Sequence, residues 1–214
     1  MRAYGILLAS LALSCSSGSS SSTDAGPGAG PEAGLDAGLE AGVEAGSAAC
    51  TDGASSLLAP AGDAAQTAPV DGISCDTSEQ LLFHIHAHLA IYAGDCPKLL
   101  AAGVGIGPPL TFQDDFVVGG SCFSWLHTHD ESGIIHIESP IQRTYTLGDF
   151  FDVWGLPLSA TQVGPLTGAV TAYLDGQPFT GDPRNVPLDA HAVVQLDVGT
   201  PLVAPQPYTF PSGY

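Results

Sequence analysis

Positive charge is almost missing from this chain of 214 residues: four lysines and arginines stand against 22 acids, for a formal net charge of -18 at pH 7. Beyond Arg2, only Lys98, Arg143 and Arg184 are basic. Gripping nucleic-acid phosphates or anionic lipid takes clustered Lys and Arg, so that class of partner is excluded, and acid in this excess serves solubility. Methionine is scarcer still. Met1 is the only one, which leaves any later metal site without the thioether that Cu(I) and blue-copper centres favour.

Arg2 precedes an apolar run from Gly5 to Leu13 that closes in ALSC, Ala12 to Cys15. The run is too short to span a bilayer and reads as an export signal over residues 1–15. It resembles a bacterial lipoprotein signal, in which Cys15 becomes the lipidated N-terminus; ordinary secretory cleavage is the alternative. The expected location is extracytoplasmic, as an outer-membrane or cell-surface lipoprotein or in the periplasm, with membrane touched only through the lipid anchor. Setting Cys15 aside leaves Cys50, Cys75, Cys96 and Cys122, an even set that an exported protein is expected to oxidise into two disulfides. Of the three pairings, Cys96 with Cys122 and Cys50 with Cys75 is favoured, because the first would staple the two histidine-rich segments. A thiolate ligand at Cys122 is the rival reading.

Residues 16–49 hold a serine-rich run and then the repeats DAGP, GAGP, EAGL, DAGL, EAGV and EAGS over Asp24 to Ser47. Such sequence buries almost nothing and cannot offset the entropy of ordering, so a disordered tether is expected. Residues 50–74 read as an irregular lead-in, 75–201 as one histidine-rich domain with a single core, and 202–214, with Pro205, Pro207 and Pro211, as an extended tail over the surface. Val, Ile, Thr and aromatic segments punctuated by Gly and Pro predict a mainly β fold, a single antiparallel β-sandwich or barrel-like domain. One short helix is expected at 146–155. Thr146 can cap it, Asp149 follows three residues later, Leu147, Phe150, Phe151 and Trp154 fall at helical spacing, and Gly155 ends it.

Six of the seven histidines fall in two tight clusters, FHIHAHLAI and WLHTHDESGIIHIES. On a strand alternate side chains share a face, so His84, His86 and His88 line one side while Phe83, Ile85, Ala87, Leu89 and Ile91 line the other. In the second cluster Asp130 to Gly133 read as a four-residue hairpin loop. That register sets His127 opposite His136, His129 opposite Ile134 and Trp125 opposite Glu138, which gathers His127, His129, His136 and Glu138 on one surface; a slip of one residue would split the set. Asp130 is a further ligand candidate or a plain turn acid. His191 stands alone and reads as a non-ligand. Imidazole with optional carboxylate suits Zn(II) or Cu(II), and the cofactor expected is a transition metal ion, Zn or Cu, at His84, His86, His88, His127, His129, His136 and Glu138.

The motif CFSWLHTHDESGIIHIESP, followed by TYTLGDFFDVWG and the VPLDAH segment at Val186 to His191, resembles a family of uncharacterised exported bacterial and archaeal proteins over roughly residues 80–200. The resemblance implies an extracytoplasmic single domain and names no activity. At the level of the site, the HxH pair with a third histidine on a neighbouring strand is similar to alpha-type carbonic anhydrases, with His127, His129 and His136 in the ligand places. It is also similar to cupins, although Glu138 lies nine residues after His129 rather than a few. Three functions stay open: a metal-binding protein for copper or zinc on a lipid-anchored tether, a three-histidine zinc metalloenzyme of hydrolase or lyase type, and a structural surface protein whose histidines respond to pH.

Overall fold

A computed structural model describes residues 55–62 and 67–214. The export signal, Cys15, the repeat tether and Cys50 lie outside the described residues. In chain order the described part forms β1 (Ser56–Leu57), β2 (Cys75–Asp76), β3 (Phe83–Ala93), β4 (Cys96–Leu99), β5 (Thr111–Gln113), β6 (Phe116–Gly119), β7 (Phe123–Ser124), β8 (Leu126–His127) and β9 (Ile134–Ser139). Helix α1 (Leu147–Trp154) follows, then β10 (Leu158–Ser159), β11 (Gln162–Val163), β12 (Leu166–Thr167), β13 (Val170–Leu174), β14 (Gln177–Phe179) and β15 (Val193–Val198). The fold is mainly β with one α-helix, as the sequence pattern implies.

Strand β3 organises the eight-stranded main sheet. On one edge Phe83 to His88 pair with β9 and Ile91 to Ala93 pair with β4; on the other edge His88 to Ala93 pair with β15. Pairings of β3 with β15 and of β1 with β4 are parallel, so the sheet is mixed, where an antiparallel one was expected. Chain separation is the reason. A tight turn at Gly94 and Asp95 forces β4 to return antiparallel, while everything from β5 to β14 intervenes before β15, ample length for the crossover that a parallel pair requires.

The alternation of β3 holds. Ala87, Leu89 and Ile91 are buried on the apolar side together with Leu126, Ile135, Ile137, Val194 and Leu196. Helix α1 adds Leu147, Phe150, Phe151 and Trp154 to this core, all with no exposed surface, and each large apolar side chain so buried contributes about 1.5–3 kcal/mol. Its ends are those expected: Thr146 accepts from the Asp149 N–H, the Asp149 carboxylate accepts from the Thr146 N–H, and Gly155 closes the helix at φ 72°.

Cysteine pairing departs from expectation. Cys75 is bonded to Cys122 with their Cα atoms 5.4 Å apart, which replaces both favoured pairs. The short ladder between β2 and β7 sets Cys75 opposite Ser124 and so brings Cys122 diagonally beside it, whereas Cys96 opens β4 at the far end of β3. Cys96 is itself disulfide-bonded.

The proline-rich tail does more than cover the surface. Buried Asp197 and Gln195 of β15 tie it down: Val203 N–H donates to Asp197 Oδ2 at 2.8 Å, Gln195 Nε2 donates to the Val203 carbonyl at 3.0 Å, and Gln206 N–H donates to Gln195 Oε1 at 2.9 Å. From there the chain crosses the polar face of the sheet. Tyr208 stacks on His88 at 3.6 Å and Phe210 on His191 at 4.6 Å between ring centroids.

Candidate metal centre

Strand β9 lies between β3 and β8, and the two registers agree. His86 stands opposite His136, His136 stands opposite His127, and His84 stands opposite Glu138. Opposed residues share a face, so three imidazoles run in a row across three strands with a carboxylate beside them. The expected pairing of His127 with His136 forms, and Trp125 stays beside Glu138 through the bond from Glu138 N–H to the Trp125 carbonyl at 2.7 Å.

His129 reaches the site by another route. The ladder stops at His127, and residues 128–133 form the loop, so the expected pair with Ile134 does not form. Thr128 diverts the chain: its N–H bonds the Val104 carbonyl at 3.0 Å, and its buried hydroxyl donates to the Ala101 carbonyl at 2.7 Å and accepts from Val104 N–H at 3.1 Å. The His129 ring then lies flat on Phe116, with centroids 4.5 Å apart and planes within 3°. Asp130, a ligand candidate in the sequence, instead accepts from Ser132 N–H at 3.0 Å and serves the loop.

The hydrogen bonds behind the rings decide where the lone pairs point. His127 Nδ1 lies 2.9 Å from the Ser124 carbonyl, and His129 Nδ1 lies 2.5 Å from the Val117 carbonyl. Carbonyls only accept, so both Nδ1 atoms carry the proton and both Nε2 atoms of the neutral rings are bare. Those two bare nitrogens face each other at 3.0 Å. No hydrogen bond joins two acceptors, whereas two nitrogens about 2.0–2.1 Å from one tetrahedral ion stand roughly 3.3 Å apart.

Two more donors converge there. His136 lies 4.4 Å from His129 and 5.4 Å from His127 between ring centroids. Among the described residues its Nδ1 has no hydrogen-bond partner, though it lies 3.4 Å from Glu138 Oε1, and Glu138 Oε2 is buried without one. One donor atom from each of His127, His129, His136 and Glu138 falls within 4.8 Å of the others, all four residues being buried. A second group, His84, His86 and His136, meets the same limit; His84 Nε2 is 3.1 Å from His86 Nε2 and 3.1 Å from Glu138 Oε1. These histidine and glutamate groups, buried at every member but His84, could hold a metal ion.

Burial sets the protonation. It drives His127 down to about 3 and His136 to about 2, aided by neighbouring histidines, and it drives His86 to about 4 with His84 adding to the effect. Neutral imidazole is the form that binds metal.

His84 and His86 therefore join the hairpin histidines, but His88 does not. It keeps the face that strand parity gives it, yet its Nε2 meets the Ser132 carbonyl at 3.1 Å and its ring is taken by Tyr208, which leaves it outside both donor groups. His191 is also outside them, bonded through Nε2 to the Tyr214 carbonyl at 2.9 Å. Two contributors had not been singled out from the sequence. Glu79 Oε1 lies 3.6 Å from His129 Nε2, with its pKa raised by burial and by the Glu138 charge; the only sign was an acid shortly before the HxHxH strand. Tyr214 lays its ring 4.8 Å from His86 and 5.6 Å from His136, and nothing local in the tail marks that contact.

No family model, curated protein or solved structure matches this chain, so the reading rests on the chemistry of the site.

Proposed function

We propose that this chain is an exported, lipid-anchored metal-binding protein that holds Zn(II) or Cu(II) through His127, His129, His136 and Glu138. One observation carries the reading: two buried imidazoles, each with its proton committed to a backbone carbonyl, aim bare nitrogens at one another 3.0 Å apart. A shared proton is the other way to relieve that contact, and burial opposes it at His127. Imidazole and carboxylate donors with no thioether favour Zn(II) or Cu(II).

Buffering or delivery of the ion is favoured over catalysis. A zinc enzyme of the three-histidine kind keeps one position open for water, whereas Glu138 supplies a fourth protein donor here and Tyr214 lies over the neighbouring rings. The signal at residues 1–15 supports the anchor, and a disulfide between Cys75 and Cys122 is compatible with an extracytoplasmic compartment. Calorimetric titration of metal-free protein with Zn(II) and Cu(II) tests the proposal on wild type, His127→Ala, His136→Ala and His191→Ala. Binding should be lost or weakened by at least about tenfold in the first two variants and kept in the third. Equal affinity in all four proteins, or none in wild type, would overturn it.

A further inference from the structure

We propose that the sheet carries a second cation site beside the first, formed by His84, His86 and the shared His136, whose ring releases its remaining N–H proton to solvent on loading so that its two nitrogens hold one ion each and the loaded protein carries two ions side by side. The buried ion is the one in the reading above; this inference rests on that reading and adds the outer ion.

The outer group is as closely gathered as the inner one. His84 and His86 are neighbours on one face of β3, with Nε2 atoms 3.1 Å apart, and the His86 ring meets His136 edge-on at 4.6 Å between centroids. Three donor atoms within 4.8 Å of one another make the group tight enough for one ion. Glu138 lies between the two groups. Its Oε1 is 3.1 Å from His84 Nε2 and 3.4 Å from His136 Nδ1, while Oε2 has no partner among the described residues. A carboxylate there puts negative charge between two cations that would otherwise repel, and water can complete the outer shell because the His84 side chain is 40% exposed, against 4% for Glu138. The outer site is therefore the solvent-facing one, and an ion reaching the buried donors from that side meets His84 first.

Stoichiometry tests this on the whole protein. Metal-free protein would be titrated with Zn(II) by calorimetry and, after gel filtration, assayed for bound zinc by elemental analysis. Wild type should bind two ions per chain. His84→Ala, an exposed change, and His86→Gln should each bind one, with the remaining affinity within about threefold of the tighter wild-type step, and His191→Ala should still bind two. Unfolding of each metal-free variant would be followed to establish that it is folded. Loading with Cu(II) gives an independent reading: two ions this close should broaden the paramagnetic resonance spectrum by mutual coupling, and His84→Ala should restore the spectrum of an isolated ion. One ion in wild type, unchanged by His84→Ala, would overturn the second site and leave the first standing. Two ions in both His84→Ala and His86→Gln would place the second ion elsewhere and overturn it as well. No ion in wild type would sink both readings.

Discussion

Acid should unfold the metal-free protein through its histidines. His86 and His88 are held down at about 4, His127 at about 3 and His136 at about 2, chiefly by burial, whereas in an unfolded chain each would titrate near 6.5. As pH falls below 6.5 the unfolded chain takes up protons that the folded one refuses, so folding stability falls with it. Each such histidine removes about 1.4 kcal/mol per pH unit, and four together remove roughly 5 kcal/mol per unit near pH 5. Three carboxyls oppose this, Asp71 with its pKa raised by the side-chain hydrogen bond to Asp152, and Glu79 and Asp197 with theirs raised by burial. The folded state gains their protons early and recovers part of the loss. A domain with an ordinary 5–15 kcal/mol of stability should then unfold between about pH 5.5 and 4, and the window follows from the gap between 6.5 and those lowered values. Urea unfolding in chelator at pH 7.5, 6.5, 5.5 and 4.5 measures the slope. His88→Phe probes the slope outside both donor groups: it keeps the stack on Tyr208 and removes the titrating ring, and the loss of the Nε2 bond to the Ser132 carbonyl lowers stability by a similar amount at every pH and leaves the slope to report proton uptake. Its slope should be shallower by about 1.4 kcal/mol per pH unit. A stability that stays flat from pH 6.5 to 4.5, or the same slope in His88→Phe as in wild type, would show that these histidines do not govern acid unfolding.

Zn(II) at about a hundred times its dissociation constant should stabilise the fold by about 2.7 kcal/mol and raise Tm by roughly 5–10 °C, and His127→Ala should abolish the shift in a thermal scan. Peptide mapping without reductant should recover Cys75 linked to Cys122. Because that bond closes a sequence separation of 47 residues, replacing both cysteines with alanine should cost about 4 kcal/mol in chemical denaturation if loop entropy dominates. Gly133→Ala should destabilise by about 2 kcal/mol or more and weaken metal binding: the residue sits at φ 88° and an added Cβ would lie 2.6 Å from the Leu89 carbonyl oxygen, at the point where β9 joins β3. Full stability in that variant would show that the junction yields without harm to the sheet.

What the sequence revealed was local. The opposition of His127 and His136 follows from the loop between them, the helix from Thr146, Asp149 and Gly155, and the common face of His84 and His86 from strand parity. What it hid depends on segments distant in the chain. His129 leaves the ladder because the Thr128 hydroxyl and backbone are claimed by Ala101 to Val104, and it regains the site by stacking on Phe116. The cysteine partners follow from the ladder between β2 and β7, two residues on each side, too short to leave a pattern. His88 shares parity with true site members and is withdrawn by the Ser132 carbonyl and a tyrosine 120 positions further along, Tyr208. Parity assigns a face; it does not say what else lies on that face.

The parallel match of β3 with β15 bears on the order in which the molecule can be assembled. A chain made from its N-terminus completes Cys75, Cys122 and all three histidine strands while Val193 to Val198 have yet to be synthesised. Until they arrive, the edge of β3 from His88 to Ala93 has backbone groups with no strand to receive them, and such an edge is a template for pairing with another chain. Closing it requires one of the most distant contacts in the sheet, the kind that forms slowly. The newborn protein is thus most exposed to self-association after its donor residues exist and before its last strand does, an interval in which truncation ahead of Val193 would leave a histidine-bearing sheet with an open side.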